Sequence, residues 1–243
     1  MSETIRERAG GEPAGSSIRS LISTLVSPRD AFAGLAQRPV FGLALAVLVL
    51  AGVAAIYVSM SKVTAEDLLA TIEASGRSLP DEARANPERI LSITRWSQVA
   101  TAAILPGLLY AVLAGIFLGV FRLLGSELTY RQSLATTVHG LLPLGVAALL
   151  GGVVAMGRET ISLQEMKWGG ILATHLGVLA GEDTGEVARA LLTSIDLFSA
   201  WCVALLAIGF QVVARVSRNA AWATVLAIWS LGIGLKLAIA AFS

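Results

Sequence analysis

Five long stretches of this chain hold almost no charge: about 40–60, 98–121, 133–156, 197–214 and 219–241. A helix needs roughly 20 mostly apolar residues to cross about 30 Å of hydrocarbon. In lipid, each backbone N–H and C=O must also find its partner inside the protein. Five such stretches therefore predict an all-α, polytopic membrane protein with five transmembrane helices. Only Lys236 carries a formal charge inside one of them. The composition agrees, with 14% charged residues against about 25% in a soluble domain, and a mean hydropathy of +0.74. A further apolar stretch, 168–181 (WGGILATHLGVLAG), is short and closely flanked by Glu165 and Lys167. It reads as a re-entrant or interfacial segment, with a sixth span as the alternative.

Thirty-nine residues precede the first span, too many for the n-region of a secretory signal, so that span reads as a retained signal anchor. With five spans, residues 1–39, 122–132 and 215–218 share one side and carry nine basic and five acidic residues. Residues 61–97 and 157–196 share the other, with eight basic and twelve acidic. Basic loops stay in the cytoplasm. The expected topology is a cytoplasmic N-terminus and an outer C-terminus.

The parts outside the spans have signals of their own. Residues 1–16 are polar and glycine-rich and read as a disordered cytoplasmic tail. Residues 17–39 read as interfacial helices. Leu21, Ile22, Leu25 and Val26 fall at helical spacing, and Ser27-Pro28-Arg29-Asp30 starts a second helix with Ala31, Phe32 and Leu35 on one face. The intervening arginines suit an anionic leaflet. The bundle itself then occupies 40–243. Its two long outer connections read as helical. Thr64-Ala65-Glu66-Asp67 resembles a capping box closed by Gly76, and Asn86-Pro87 starts a helix able to run directly into the second span.

Signatures of chemistry are sparse. The sequence has no P-loop, no His-Glu-x-x-His and no Gly-x-Ser-x-Gly. One cysteine, Cys202, and two distant histidines, His139 and His175, make neither a disulfide nor a zinc cage. No catalytic, cofactor-binding or metal-binding residue is assigned, and no cofactor or nucleic acid is expected. Gly115-x-x-x-Gly119, with Ala111 on the same face, reads as a helix-packing face, with dimerisation the minor alternative. Pro106 and Pro143 should bend their helices; broken helices expose backbone in some transporters, but proline is also simply tolerated in spans. His139 suits a helix-to-helix hydrogen bond better than a proton relay. Trp96, Trp201, Trp222 and Trp229 fit interfacial or near-interfacial positions, at least in part.

Asp196 stands where the fourth span enters and Lys236 lies near the same depth in the fifth, so the two are within plausible reach. Three readings of Asp196 compete: a helix cap at the boundary, a partner for Lys236, or a substrate or proton site.

Several of these residues resemble the Yip family, named for Ypt/Rab-interacting proteins, in its bacterial branch. Ser27-Pro28-Arg29-Asp30-Ala31-Phe32 with Arg38-Pro39 looks like the family's entry motif. Ile195-Asp196-Leu197-Phe198, Trp201, Leu205, Gly209 and Arg215-Val216-Ser217-Arg218 look like its penultimate helix and tight turn. The resemblance covers about 17–241. It implies a five-span protein of the bacterial inner membrane with a cytoplasmic N-terminus. Eukaryotic relatives act in vesicle trafficking through small GTPases, a role that does not carry over to a bacterium. The expected function is non-catalytic: organising membrane lipids, another membrane protein or further copies of itself. The alternative is a transport component with 168–181 re-entering the membrane.

Overall fold

The computed structural model of the protein describes residues 18–76, 84–167, 171–181 and 183–242. The expected tail at 1–16 and residues 168–170 of the short apolar stretch lie outside them. The order is α1 (Ile18–Val26), α2 (Pro28–Gln37), α3 (Gly42–Ser61), α4 (Ala65–Ala74), α5 (Pro87–Leu123), α6 (Tyr130–Gly140), α7 (Leu142–Met156), α8 (Leu163–Lys167), a 3-10 turn (Leu176–Leu179), α9 (Glu186–Ser194), α10 (Leu197–Val213) and α11 (Arg218–Ala241). The chain is an all-α polytopic membrane protein. Four helical units are long and apolar enough to cross a membrane: α3, α5, α6 with α7, and α11. The fourth expected span is α10, at 17 residues the short one.

Local chemistry sets the boundaries. α2 stops before Arg38-Pro39, where proline pushes its predecessor out of helical geometry; Arg38 has φ −132° and ψ 87°. α5 starts with Pro87 at its first turn and runs through Pro106 to Leu123 without interruption. It closes on Gly125 at φ 85°, with the Gly125 N–H donating to the Arg122 carbonyl and that of Ser126 to the Phe121 carbonyl. Only a residue free to adopt left-handed backbone closes a helix this way. Thr129 and Gln132 form a reciprocal capping box at the start of α6. Pro143 acts differently from Pro106: the helix breaks at Leu141, between α6 and α7.

Hydrogen bonds between elements fix two ends of the bundle. At the proximal end, Gln132 Nε2 donates to the Ala36 carbonyl at 2.9 Å and Ser126 Oγ to that of Ala214 at 2.7 Å. At the distal end, Arg95 Nε donates to the Met60 carbonyl, the Ile161 N–H to the Lys62 carbonyl and the Leu163 N–H to Asp67 Oδ2. Among the described residues, α3, α5, α6–α7, α10 and α11 each run between these ends.

α10 is the centre. It packs on α2, α6, α7 and α11, while α3 packs on α5 and α7. Phe210 packs tilted against Phe117 and stacks on Phe121, with ring centroids 4.4 and 4.8 Å apart. Gly209 lets Phe32 and Thr136 reach the α10 backbone: a Cβ there would lie 2.8 Å from each. A second, smaller core of Met60, Val63, Leu68 and Leu91 ties α4 to the distal ends of α3 and α5.

The structure adds detail to three of these readings. The apolar residues of α1 do not share one face: Leu21 is buried with Thr24, whereas Ile18, Ile22 and Val26 point outward on a separate i, i+4, i+8 stripe. α2 turns Phe32 and Leu35 into the protein core. Among the described residues, no heavy atom lies within 4 Å of a Cβ built at Gly115 or Gly119, so these two glycines are not the contact points of helix packing.

Candidate functional site

The distal end brings together the polar side chains around Asp196 and Lys236. The sequence there reads Thr193-Ser194-Ile195-Asp196: α9 ends at Ser194 and α10 starts at Leu197. The chain must stop one helix and begin another in three residues, and polar groups satisfy the broken backbone. Asp196 has extended backbone, and its Oδ2 accepts from the Ser199 N–H at 3.0 Å. Its Oδ1 accepts the Thr174 hydroxyl proton at 2.6 Å. Backbone bonds from Leu176 to Ile195 and from Leu197 to Thr174 complete a small antiparallel clasp. The described part of the short apolar stretch, 171–181, is thus extended chain and a 3-10 turn fastened to α10, and not a helical sixth span. Gly177 is required in that turn, because a Cβ would sit 2.6 Å from both His175 Nδ1 and Thr193 Cγ2.

Lys236 reaches this region from α11 but does not meet Asp196. Its Nζ donates to Thr193 Oγ1 at 3.0 Å and Ser194 Oγ at 3.1 Å. Both hydroxyls pass their own protons to the Ala190 carbonyl. Among the described residues the ion pairs are Arg158–Glu165 and Lys167–Glu186, so the Lys236 ammonium has hydroxyl partners and no carboxylate.

Two cavities flank this polar seam. One is a groove of about 430 Å³ between α5 and α11, floored by α10 and open at the side of the bundle. Its walls are apolar, with Phe117, Leu206, Val225, Ile228 and Trp229, and its distal end is formed by Thr193, Ser194, Ser199 and Lys236. The other, of about 300 Å³, lies between α3, α7 and the 171–175 segment and contains Asp196, Thr174 and His175. Thr193, Ser199 and Leu144 line both. The basic group therefore faces one cavity and the acidic group the other, across a shared wall.

The remaining singled-out residues lie elsewhere. His139 is fully buried in α6, and its Nδ1 donates to the Ala135 carbonyl of its own helix at 2.9 Å, not to a neighbouring helix. Pro143 marks the α6–α7 break, Pro106 sits along α5, and Trp201 is half-buried near the start of α10. Trp229 is not interfacial: eleven residues into α11, it stands about 16 Å along the helix, inside the groove. Sequence reasoning missed Thr174, Thr193, Ser194 and Ser199. The available signal was three hydroxyl residues within seven positions at the mouth of an apolar run.

A Yip1 domain profile matches residues 22–239. The chain is also similar to a Bacillus subtilis (strain 168) protein named membrane protein YknW, 26% identical over 229 residues that cover 91% of this chain and 92% of that one. No solved structure matches. With the profile running from α1 through nearly all of α11, the chain belongs to the Yip1 domain family of membrane proteins.

Proposed function

We propose that this protein is a non-catalytic organiser of lipids and membrane partners in a bacterial inner membrane, with its N-terminus in the cytoplasm. The carrying observation is the groove between α5 and α11: apolar walls, one polar end and an open side. Its volume falls within the roughly 300–1,000 Å³ of ordinary small-ligand sites. Its plan, apolar along its length and polar at one end, is that of an amphiphile. Protein partners, whether another membrane protein or a second copy, belong to the same reading, because α11 leaves Leu226, Leu231, Leu235 and Ile239 exposed on the outside of the bundle.

The test is lipid retention. Gly232 lines the groove with open space around its Cβ position, so Gly232→Phe should fill the groove without disturbing the helix. Protein purified in mild detergent should carry lipid detectable by native mass spectrometry, and Gly232→Phe should lose most of it. Equal lipid content in both would refute the groove as the binding place. Crosslinking in native membranes checks the partner part, where a stoichiometric adduct is the expected result.

A second reading, a transport component, is favoured by one observation. The 171–175 segment roofs a cavity that shares Thr193 and Ser199 with the groove, so a solute passing between them would cross only that wall. Uptake assays in proteoliposomes separate this from lipid holding.

A further inference from the structure

Resting on the amphiphile reading of the groove, we infer that its occupant is a phospholipid of net negative charge, its phosphate against Lys236 and one acyl chain lying along α11 toward Val225.

Charge carries the first half of the argument. A charged side chain at membrane depth is costly, and such residues normally face a partner or a water-filled space. Lys236 has three N–H donors; two are directed at the Thr193 and Ser194 hydroxyls. Those hydroxyls are neutral, so they orient the ammonium without cancelling its charge. The Lys236 residue is exposed overall, and its ammonium lies at the groove's polar end, where it helps form the lining. One N–H is left for an acceptor, and a phosphate oxygen supplies both the acceptor and the missing negative charge. The nearest carboxylate of the seam, Asp196, is committed to Thr174 and the Ser199 N–H and lines the other cavity.

Depth carries the second half. Lys236 lies eighteen residues beyond Arg218, so it stands about 27 Å along α11 and close to one interface. From Lys236 to Val225 the groove descends eleven residues, about 16 Å. Half of a hydrocarbon core of about 30 Å is nearly the same length. The groove therefore places an anion-holding group at headgroup level and an apolar trough one leaflet deep beneath it. A soluble anion would have no use for the trough, and a partner helix would have to bury Lys236 against its own apolar side chains.

Trp229, midway down the groove, provides a reporter. The full-length protein is reconstituted in phosphatidylcholine vesicles holding a small fraction of chain-brominated phosphatidylglycerol or, in parallel, chain-brominated phosphatidylcholine. Bromine near the indole quenches its fluorescence. The brominated anionic lipid should quench roughly fivefold more effectively, the factor expected for one lysine against an anionic headgroup. The excess should vanish in Trp229→Phe, vanish in Lys236→Gln and persist in Lys236→Arg, with each variant first shown to be monodisperse and as heat-stable as the parent. Equal quenching by the two lipids, or a preference that survives Lys236→Gln, overturns the inference. Gly232→Phe separates the levels. If the two lipids quench equally and the plug reduces both, the groove holds lipid without charge selection: this inference fails and the lipid-organising reading stands. If the plug changes neither, both fail.

Discussion

Two residues show how differently glycine and aspartate constrain this chain. Gly209 sits under the Phe32 ring and beside the Thr136 methyl, each 2.8 Å from where a Cβ would be. Both are fully buried, so neither can give way cheaply. Overpacking of this kind costs about 1–3 kcal/mol. Gly209→Ala should lower the melting temperature in detergent, whereas Gly119→Ala, with open space at its Cβ position, should leave it unchanged or slightly raised, alanine being the better helix former. Equal effects of the two would deny the α2–α10 contact. Asp196 is constrained by bonding. Asp196→Asn keeps an acceptor for the Ser199 N–H and an oxygen for Thr174, so it should be mild. Asp196→Leu removes a cap worth about 1 kcal/mol and strands the Thr174 hydroxyl, and should lower the melting temperature clearly. A normally folded Asp196→Asn protein that loses its cellular phenotype would instead make the charge itself functional. The position of Asp196 at the edge of an apolar run was legible in the sequence. The route of Lys236 was not: depth along two helices places residues at one level, but which face of α11 turns toward α9 is set by packing.

At the scale of elements, the sequence reading succeeded where one segment determines its own state. Spans follow from apolar length, the start of α4 from its Thr64 cap, and the start of α5 from Pro87 at its first turn; the Thr129–Gln132 box at α6 was not read from the sequence. The reading fell short where two segments decide together. The apolar positions of α1 and α2 were visible, yet Phe32 and Leu35 find their partners on α10, far along the chain. The groove is likewise a property of α5, α10 and α11 jointly, and no single stretch announces it. α1 gives a direct check of this division. A spin label at Ile22, on the outward stripe, should be reached by a lipid-soluble relaxation agent. One at Thr24, fully buried and bonded through its hydroxyl to the Ser20 carbonyl, should be immobile and protected. Equal accessibility at both sites would mean that α1 is not docked on the bundle as described.

For the whole molecule, the decisive quantity is the number of crossings, and length alone does not supply it. α10 spans about 25 Å as a 17-residue helix, less than the roughly 30 Å of a hydrocarbon core. It is also closely enclosed by its neighbours, with Phe198, Cys202, Leu205, Leu206, Gly209 and Phe210 all buried. A helix wrapped in protein need not match the thickness of lipid, because its ends meet other polypeptide. Its Asp196 end is clasped to Thr174 at the distal side, and its Ala214 end receives the Ser126 hydroxyl at the proximal side. α10 therefore connects the two ends that α3, α5, α6–α7 and α11 also connect; counted as a crossing, it would make the passages odd in number. Arg122, Arg131, Arg215 and Arg218 all lie at the proximal end, the end that the basic-loop rule leads one to expect in the cytoplasm. The prediction is that reporters fused at Met1 and Ser243 signal from opposite compartments, Met1 from the cytoplasm. Two cytoplasmic signals would require an even count and remove α10 from the crossing helices. Two signals from opposite sides with Met1 outside would keep the five passages and invert the bundle, placing Lys236 and the polar end of the groove at the inner leaflet.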